Sequence, residues 1–313
     1  MDPTRRQALL SAAAFCALAA MKPLTGSAQS APSSATQSSL LERAIPSTGE
    51  KLPVIGVGTW QTFDVGEDNA ARAALKEVLA VFSKAGARVI DSSPMYGSSE
   101  TVTGDLIAET GLAGKLFVAT KVWTEGRDAG IRQMEQSFKR LRVQRMDLMQ
   151  VHNLVDVAAH TRTLEEWKAK QRVRYIGITH YTSSAYGELE RALKGGKYDF
   201  LQINYSLAER ESENRLLPLA VEKMAAVIIN RPFAEGALFR KVRGKPVPEW
   251  AAEFGATTWA QYFLKWIVSH PAVTCVIPGT GKPEHMLDNL AAGRGQLPDA
   301  AMRKRMTQYF DSL

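Results

Sequence analysis

The sequence predicts one (β/α)8 barrel, a TIM barrel of the α/β class, on three observations. Eight short apolar segments rich in β-branched residues recur at intervals of about 25 to 34 residues, with a longer gap before the last. Most of them lack polar alternation, which is typical of strands buried on both faces of a sheet. Segments with helical periodicity separate them. The 313 residues therefore fit a single barrel domain, although length alone would suggest two domains.

The eight predicted strands are residues 54–58, 88–92, 116–122, 147–152, 175–180, 200–205, 226–230 and 273–278. Helices are predicted between them, for example over 70–82 and 130–141. A doubly wound open sheet is the alternative, and it would place a Gly-rich phosphate turn after its first strand. Residues 56–60, Gly-Val-Gly-Thr-Trp, lack the third glycine and the start of a helix. The barrel is therefore favoured, with catalysis at the carboxyl ends of its strands.

The composition is that of an ordinary globular protein, with 45% hydrophobic and 23% charged residues. It excludes the disordered, collagenous and disulfide-framework classes. An excess of Lys and Arg (39) over Asp and Glu (32) gives a formal charge of +7. The basic residues form no run of five or more, so binding to nucleic acid is not predicted.

The first 28 residues have the layout of an export signal. A charged start that includes Arg5 and Arg6 precedes an uncharged, alanine-rich stretch over 8–21, and small residues up to Ala28 suit cleavage. That stretch is shorter than the roughly twenty residues needed to cross a bilayer. The paired arginines resemble a twin-arginine (Tat) signal. We therefore expect export by the Tat translocase to the bacterial periplasm as a soluble protein, with ordinary secretion and an uncleaved tether as alternatives.

Residues 29–44, rich in Ser, Ala and Gln, are predicted as a flexible linker, and residues 45–313 as the barrel. Loss of residues 1–28 would remove three basic residues and one acid, which lowers the formal charge to +5. It would also remove Cys16 and leave Cys275 as the only cysteine of the sequence. No internal disulfide is therefore expected.

Four polar residues end or follow three neighbouring predicted strands and would face one mouth of the barrel. They are Asp91, Tyr96, Lys121 and His152. Each alone has a structural explanation, as a turn cap, a half-buried aromatic, a snorkelling lysine or a core histidine. Together they are more specific, because a lysine on a buried strand needs a counter-ion and Asp91 on the neighbouring strand supplies one.

This quartet suits protonation of a carbonyl oxygen while hydride arrives on the carbonyl carbon. A tyrosine with a pKa near 10 is a poor proton donor at neutral pH, but a nearby cation lowers that pKa. Lys121 would be the cation and Asp91 would hold it in place. His152 would donate a hydrogen bond to the substrate carbonyl. Tyr96 is therefore the predicted general acid.

At these residues the sequence resembles the aldo-keto reductase superfamily, from about residue 52 to residue 292. The most specific motif is residues 91–100, Asp-Ser-Ser-Pro-Met-Tyr-Gly-Ser-Ser-Glu. Five further motifs follow in order, at residues 120–123, 148–153, 177–180, 201–206 and 277–289. The resemblance implies a barrel that reduces aldehydes and ketones with NADPH, in which Asp91, Tyr96, Lys121 and His152 form the catalytic tetrad.

The resemblance also implies a binding site for NADP(H), with NAD(H) as the alternative. Asn230 stands where a tyrosine of the family commonly stacks on the nicotinamide, and Arg231 or Phe233 would take its place. Gly279 and His285 stand where many members carry a lysine and an arginine for the adenosine 2′-phosphate. The expected cofactor contacts are Gly58, Thr59, Trp60, Asp91, Asn153, Thr179, His180, Gln202, Asn230, Arg231, Pro232, Phe233, Ala237, Leu238, Gly279, Thr280, Lys282, His285 and Asn289.

Trp60, Met95, Trp123 and His152 are the expected substrate contacts, and they favour a hydrophobic aldehyde or ketone. A nicotinamide-nucleotide sensor or partner subunit with little turnover is the alternative function, since NADPH is not expected to be regenerated outside the cytoplasm. A metal-dependent hydrolase or isomerase is disfavoured because no His-x-His motif ends an early strand. No metal site is therefore expected.

Overall fold

A β-hairpin precedes the barrel in this computed structural model, which describes residues 39–313. Strand β1 (Glu42–Ala44) pairs antiparallel with β2 (Lys51–Pro53). β1 lies within the range predicted as a flexible linker, so regular structure begins a few residues earlier than expected. The predicted Tat signal at 1–28, with Cys16, and residues 29–38 of the predicted linker lie outside the described residues.

Eight parallel strands form the barrel, and each is hydrogen-bonded to the next in chain order. They are β3 (Val57–Gly58), β4 (Val89–Asp91), β5 (Phe117–Val122), β6 (Met146–His152), β7 (Val173–Thr179), β8 (Phe200–Asn204), β9 (Ala226–Asn230) and β10 (Cys275–Val276). The ring closes where the Gly56 N–H donates to the Val276 carbonyl (2.8 Å) and the Val276 N–H donates to the Val54 carbonyl (2.9 Å). The predicted barrel is confirmed, and each predicted strand overlaps an observed one.

Helices cover the outside of the barrel. They are α1 (Asn69–Lys84), α2 (Ser99–Glu109), α3 (Arg127–Leu141), α4 (Val157–Ala169), α5 (Tyr186–Gly195), α6 (Leu216–Glu222), α7 (Ala237–Lys241), α8 (Trp259–Val268), α9 (Pro283–Ala292) and α10 (Ala300–Ser312). In α1, the Asp68 carboxylate caps the first turn by accepting from the Ala70 and Ala71 N–H groups. No helix in the described part of the chain has the length and apolar character to cross a membrane.

The barrel interior is packed with apolar side chains toward its amino-terminal end. This inner cluster consists of Ile45, Leu52, Val89, Phe117, Ala119, Leu148, Tyr175, Phe200, Ala226, Ile228, Cys275 and Ile277. Ile45 and Leu52 come from the hairpin and have no exposed surface, so the hairpin closes this end of the barrel. The interior is therefore a filled core and not a channel.

The glycines of the first barrel strand are explained by close packing across the ring. A Cβ on Gly58 would lie 2.9 Å from the Ile277 carbonyl oxygen, and one on Gly56 would lie 2.8 Å from the Val89 carbonyl oxygen. A side chain at either position would push β3 away from its neighbours. The Gly-Val-Gly sequence therefore closes the barrel and is not a phosphate turn.

A network of paired charges lies at the amino-terminal end, beside the hairpin. Arg174 donates to Glu50 and to Asp147, the latter at 2.7 Å. The Tyr175 hydroxyl donates to the Glu50 carboxylate (2.7 Å), and Arg88 also pairs with Glu50. Burial alone would raise the pKa of Glu50, but the hydrogen bonds from Tyr175 and Arg174 and the charge of Arg174 lower it below its usual value.

Candidate active site

The predicted tetrad is brought together at the carboxyl ends of β4, β5 and β6. Asp91 ends β4, Lys121 lies near the end of β5, and His152 ends β6, while Tyr96 lies in the turn between β4 and α2. Asp91, Tyr96 and His152 line a cavity of about 620 Å³. Lys121 lies behind them with no exposed surface. This cavity is in the place where barrel enzymes hold their substrates.

Lys121 and Asp91 form a buried ion pair. The Lys121 ammonium donates to Asp91 Oδ2 and to the Ser92 carbonyl oxygen, both at 2.6 Å. Burial alone would lower the pKa of Lys121, but the Asp91 carboxylate and the Tyr96 phenol raise it above its usual value. Lys121 is therefore a cation at neutral pH, as the sequence predicted.

The Tyr96 phenol lies beside that cation, with the Lys121 ammonium 5.0 Å from the centre of its ring. Burial raises the pKa of Tyr96 above its usual value, and this effect outweighs the opposing charge of Lys121. The expectation of a lowered pKa took account of the cation but not of the burial, so the direction differs from that expected. Tyr96 therefore stays protonated at neutral pH and keeps a proton to donate.

His152 is a neutral imidazole at the floor of the cavity. Burial, followed by the charges of Lys121 and His180, lowers the pKa of His152 to about 2. Its Nδ1 lies 3.0 Å from the Ser93 hydroxyl, and its ring meets the Tyr96 ring edge-on at 5.9 Å. When the Ser93 hydroxyl donates to Nδ1, the imidazole proton is on Nε2 and is available for a carbonyl oxygen.

Large apolar side chains form the rim of the cavity. Trp60, Met95 and Trp123 line it with 44%, 40% and 40% of their surface exposed. Trp123 also lies next to His152, with 6.5 Å between their ring centres. The predicted substrate contacts therefore share one cavity with the tetrad.

Most of the predicted cofactor contacts line the same cavity. They are Gly58, Thr59, Trp60, Asp91, Asn153, Thr179, Gln202, Asn230, Arg231, Pro232, Phe233 and Gly279. Among the residues that the structure describes, the buried amide oxygens of Asn153 and Asn230 have no hydrogen-bond partner. Neither oxygen has appreciable exposed surface, so the fit is judged on the side-chain amides that line the cavity, those of Asn153, Gln202 and Asn230. An amide side chain both donates and accepts hydrogen bonds, as the carboxamide of a nicotinamide does, so this end of the cavity fits a nicotinamide nucleotide.

Other predicted cofactor contacts do not line the cavity, namely His180, Ala237, Leu238, Thr280, Lys282, His285 and Asn289. The ring nitrogen Nδ1 of His180 accepts from the N–H groups of Tyr181 and Thr182, so this side chain stabilises its own turn. Leu238 is part of the outer core. Lys282 directly precedes α9, and His285 and Asn289 lie in that helix.

The residues that would replace a stacking tyrosine have partners of their own. Asn230 donates through its side chain to the His180 carbonyl (3.1 Å), and Arg231 donates to the Tyr181 carbonyl (2.7 Å). The Arg231 guanidinium lies 5.8 Å from the centre of the Tyr181 ring. The Phe233 ring packs on Phe239, with 4.8 Å between ring centres. Asn230 and Arg231, at the end of β9, therefore bind the turn at His180 and Tyr181 that follows β7.

Six residues that line the cavity were not among the predicted contacts: Gln61, Thr62, Tyr181, Glu235, Gly236 and Ile277. Most follow a predicted strand closely, so extending each strand by a few residues would have included them. Tyr181 is 46% exposed and comes directly after His180. Within residues 39–313, no group of three or more His, Cys, Asp or Glu side chains is arranged to hold a metal ion.

Comparison with known proteins agrees with this geometry. The sequence profile of the aldo/keto reductase family matches residues 54–305. The chain is 29% identical over 259 residues to methylglyoxal reductase YeaE of Escherichia coli, covering 80% of this chain and 89% of that protein. It is 23% identical over 308 residues to an NADH-specific methylglyoxal reductase of E. coli, covering 80% and 92%.

A solved structure shows the same relationship. An aldo/keto reductase from Klebsiella pneumoniae, crystallised with NADP and acetate, superposes with a TM-score of 0.69 at 26% identity. The match covers 84% of this chain and 93% of that one. The family profile matches well over half of the 313 residues, and the four residues predicted as the tetrad lie at the carboxyl end of the barrel. This chain therefore belongs to the aldo/keto reductase family of oxidoreductases.

Proposed function

We propose that this protein reduces aldehydes or ketones to alcohols with NADPH, and that Tyr96 is the general acid. The observation that carries the proposal is the arrangement of a protonated phenol, a buried ammonium and a neutral imidazole around one cavity. When bound, the nucleotide supplies hydride to the carbonyl carbon. The chain supplies the proton and stabilises the charge that develops on the oxygen.

Each member of the quartet has a separate task in this proposal. His152 donates a hydrogen bond to the carbonyl oxygen and so orients the substrate. Tyr96 transfers its phenol proton to that oxygen, and the nearby Lys121 ammonium stabilises the phenolate that remains. Asp91 holds Lys121 charged and in place. Trp60, Met95 and Trp123 bury the apolar part of the substrate and exclude water.

We propose that Asn153 and Gln202 hold the nicotinamide carboxamide, because both line the cavity beside Asp91. The adenosine phosphate would lie near the start of α9, where the Thr280 hydroxyl accepts from the Lys282 N–H (3.1 Å). Lys282 is the cation that would favour NADPH over NADH. Two relatives are named as methylglyoxal reductases, and one of them is NADH-specific. We would therefore assay α-dicarbonyl substrates first, with both NADPH and NADH.

The Tyr96→Phe variant tests the mechanism. It removes the donated proton but keeps the ring, so carbonyl reduction should fall by about two orders of magnitude or more while the Kd for NADPH stays within a few-fold. The assay is NADPH oxidation against a panel of α-dicarbonyls, aromatic aldehydes and ketones, with nucleotide titration by fluorescence. Wild-type rates in Tyr96→Phe would refute the mechanism. Tight nucleotide binding with no turnover by the wild type would favour the sensor alternative.

Residues 1–28 carry a separate proposal, that the protein is exported by the Tat translocase to the periplasm. It is supported by Arg5 and Arg6 before an alanine-rich stretch. Mass analysis of the N-terminus of protein purified from its native compartment should show a chain that begins near residue 29. A full-length cytoplasmic chain would refute this proposal and leave the catalytic proposal unaffected.

A further inference from the structure

A second layer of polar residues lies beneath the tetrad, inside the barrel. Gln150 is in β6, two residues before His152, so both side chains point to the barrel interior. Unlike His152, Gln150 does not line the cavity, and it has no exposed surface. Its amide nitrogen donates to Asp91 Oδ1 at 3.1 Å. A residue that cannot touch substrate thus contacts the tetrad directly.

The two oxygens of Asp91 have different partners. Oδ2 accepts from the Lys121 ammonium (2.6 Å), whereas Oδ1 accepts from the amides of Gln202 (2.9 Å) and Gln150 (3.1 Å). Two donors on one oxygen fix the rotation of the carboxylate, which directs the other oxygen at the lysine. Gln202 is itself held by the Thr179 hydroxyl, which donates to its amide oxygen (3.1 Å). The Lys121–Asp91 geometry therefore depends on both glutamines.

The buried site of Gln150 would suit an apolar side chain at least as well as an amide. In the sheet Gln150 lies opposite Lys121 on one side and Gly177 on the other. A Cβ on Gly177 would lie 2.8 Å from the Phe200 carbonyl oxygen and 3.2 Å from Gln150 Cγ, so the interior around Gln150 is closely packed. Among residues 39–313, the Gln150 amide oxygen has no hydrogen-bond partner. An apolar side chain would avoid that cost.

We propose that Gln150 is a positioning residue for the reaction, which holds Asp91 so that its second oxygen stays on Lys121. This inference rests on the proposed function for its catalytic consequence. Without the Gln150 donor, the carboxylate turns more freely and Lys121 is held less firmly beside the Tyr96 phenol. The other titratable groups around this pair are Tyr96, His152 and Cys275.

The test compares Gln150→Met with Leu148→Met as the matched control. Leu148 is on the same strand, is equally buried, and belongs to the inner apolar cluster. The first measurement is the hydrogen-exchange rate of the Lys121 ammonium at neutral pH by ¹⁵N NMR, assigned by its absence from Lys121→Arg. This exchange measurement requires neither substrate nor catalytic turnover. The second is kcat and KM for carbonyl reduction, with the unfolding midpoint of each variant.

We expect the Lys121 protons of Gln150→Met to exchange several-fold faster than those of Leu148→Met. We also expect kcat to fall about tenfold while KM for the nucleotide is unchanged, because one hydrogen bond to a charged group is lost. Equal Lys121 exchange rates in the two variants would overturn the proposal. A wild type that reduces no carbonyl compound would refute the proposed function, whereas the exchange rates would still decide the role of Gln150.

Gln150→Glu gives a second test that does not depend on how well methionine packs. A protonated carboxyl at this position donates to Asp91, whereas an ionised one repels it. Lys121 exchange in this variant should therefore be close to wild type at acidic pH and rise steeply as the new carboxyl ionises. Leu148→Met should show no such step. Lys121 exchange with the same pH dependence in Gln150→Glu and wild type would count against the assignment.

Discussion

The two ends of the barrel handle buried polar groups in opposite ways. At the amino-terminal end, Glu50 is bonded by Arg174 and Tyr175, and Arg174 also bonds Asp147. At the carboxyl end, Lys121 is wholly buried, and the amide oxygens of Asn153 and Asn230 have no partner among the described residues. The first end satisfies its polar groups within the chain, as a structural element does. The second keeps a buried ion pair and unpaired acceptors beside a cavity, an unfavourable arrangement that is typical of a functional site.

The largest effect is expected at the carboxyl end, from Lys121→Met. The change leaves Asp91 buried without a cation, which should cost about 3–5 kcal/mol of unfolding free energy and abolish measurable carbonyl reduction. Urea unfolding and NADPH oxidation provide the two measurements. Lys194→Met is the control, because the Lys194 side chain is 55% exposed and Glu190 keeps Arg215 as a second partner, so the loss of stability should be far smaller. Equal losses in the two variants would contradict the contrast between a buried and a solvent-exposed lysine.

The next largest effect is expected from His152→Gln, on the pH dependence of the unfolding free energy. Its pKa is lowered to about 2 in the folded chain, against an ordinary value near 6.5. The unfolded chain therefore binds a proton as pH falls below 6.5 while the folded chain does not, so stability is lost with falling pH. Between pH 7 and pH 5, the wild type should lose roughly 2 kcal/mol more unfolding free energy than His152→Gln, which lacks this titrating group. Identical pH dependence in wild type and His152→Gln, measured by urea unfolding, would show that His152 titrates normally.

A smaller effect is expected at the opposite end, from Glu50→Gln. The pKa of Glu50 is lowered in the folded chain, so its contribution is complete above the unfolded pKa and is lost as pH falls through the folded value. The variant should be less stable by about 1 kcal/mol at pH 7, and the difference should shrink as pH falls through the lowered pKa of Glu50. Its kcat should equal that of wild type. A changed kcat would mean that the amino-terminal end is not purely structural.

The smallest effect should come from the rim, through Trp123→Ala. Trp123 is already 40% exposed, so its loss should leave folding nearly unchanged. For aromatic aldehydes, KM should rise about five- to tenfold because apolar contact is lost, whereas KM for methylglyoxal should change little. Steady-state kinetics with both substrates gives the comparison. Equal changes in KM for the two would argue that Trp123 does not contact the apolar part of the substrate.

The barrel could be predicted from the sequence because eight apolar segments with helical segments between them mark its strands. The carboxyl ends of those strands bring Asp91, Lys121 and His152 to one mouth, whereas Tyr96 lies in a turn, so its assignment depended on the chemistry of the four residues and on the resemblance to a family. The turns after the strands were harder to predict. Asn153 and Arg231 have positive φ values of 52° and 48°, and these conformations decide which side chains reach the cavity. In the turn after β7, Tyr181 lines the cavity, whereas the His180 ring accepts from the Tyr181 N–H.

Two further features depend on tertiary context. The hairpin strands are three residues each and carry polar residues, so no periodicity identifies them. The pKa of Tyr96 depends on the balance between burial and the charge of Lys121, and only the burial in the folded chain shows which effect is larger. The Gln150–Asp91 contact is likewise a property of the assembled interior, since 59 residues separate the two in sequence.

The closure of the barrel between β3 and β10 links ligand affinity to local unfolding. These are the two shortest strands of the ring, with two residues each, so we expect the interval between them to open at a lower free energy than β6 or β7. Gly58 on one side of it and Gly279 on the other both line the cavity. A ligand that contacts both sides would slow amide exchange at this closure well before it changes exchange in β6 or β7.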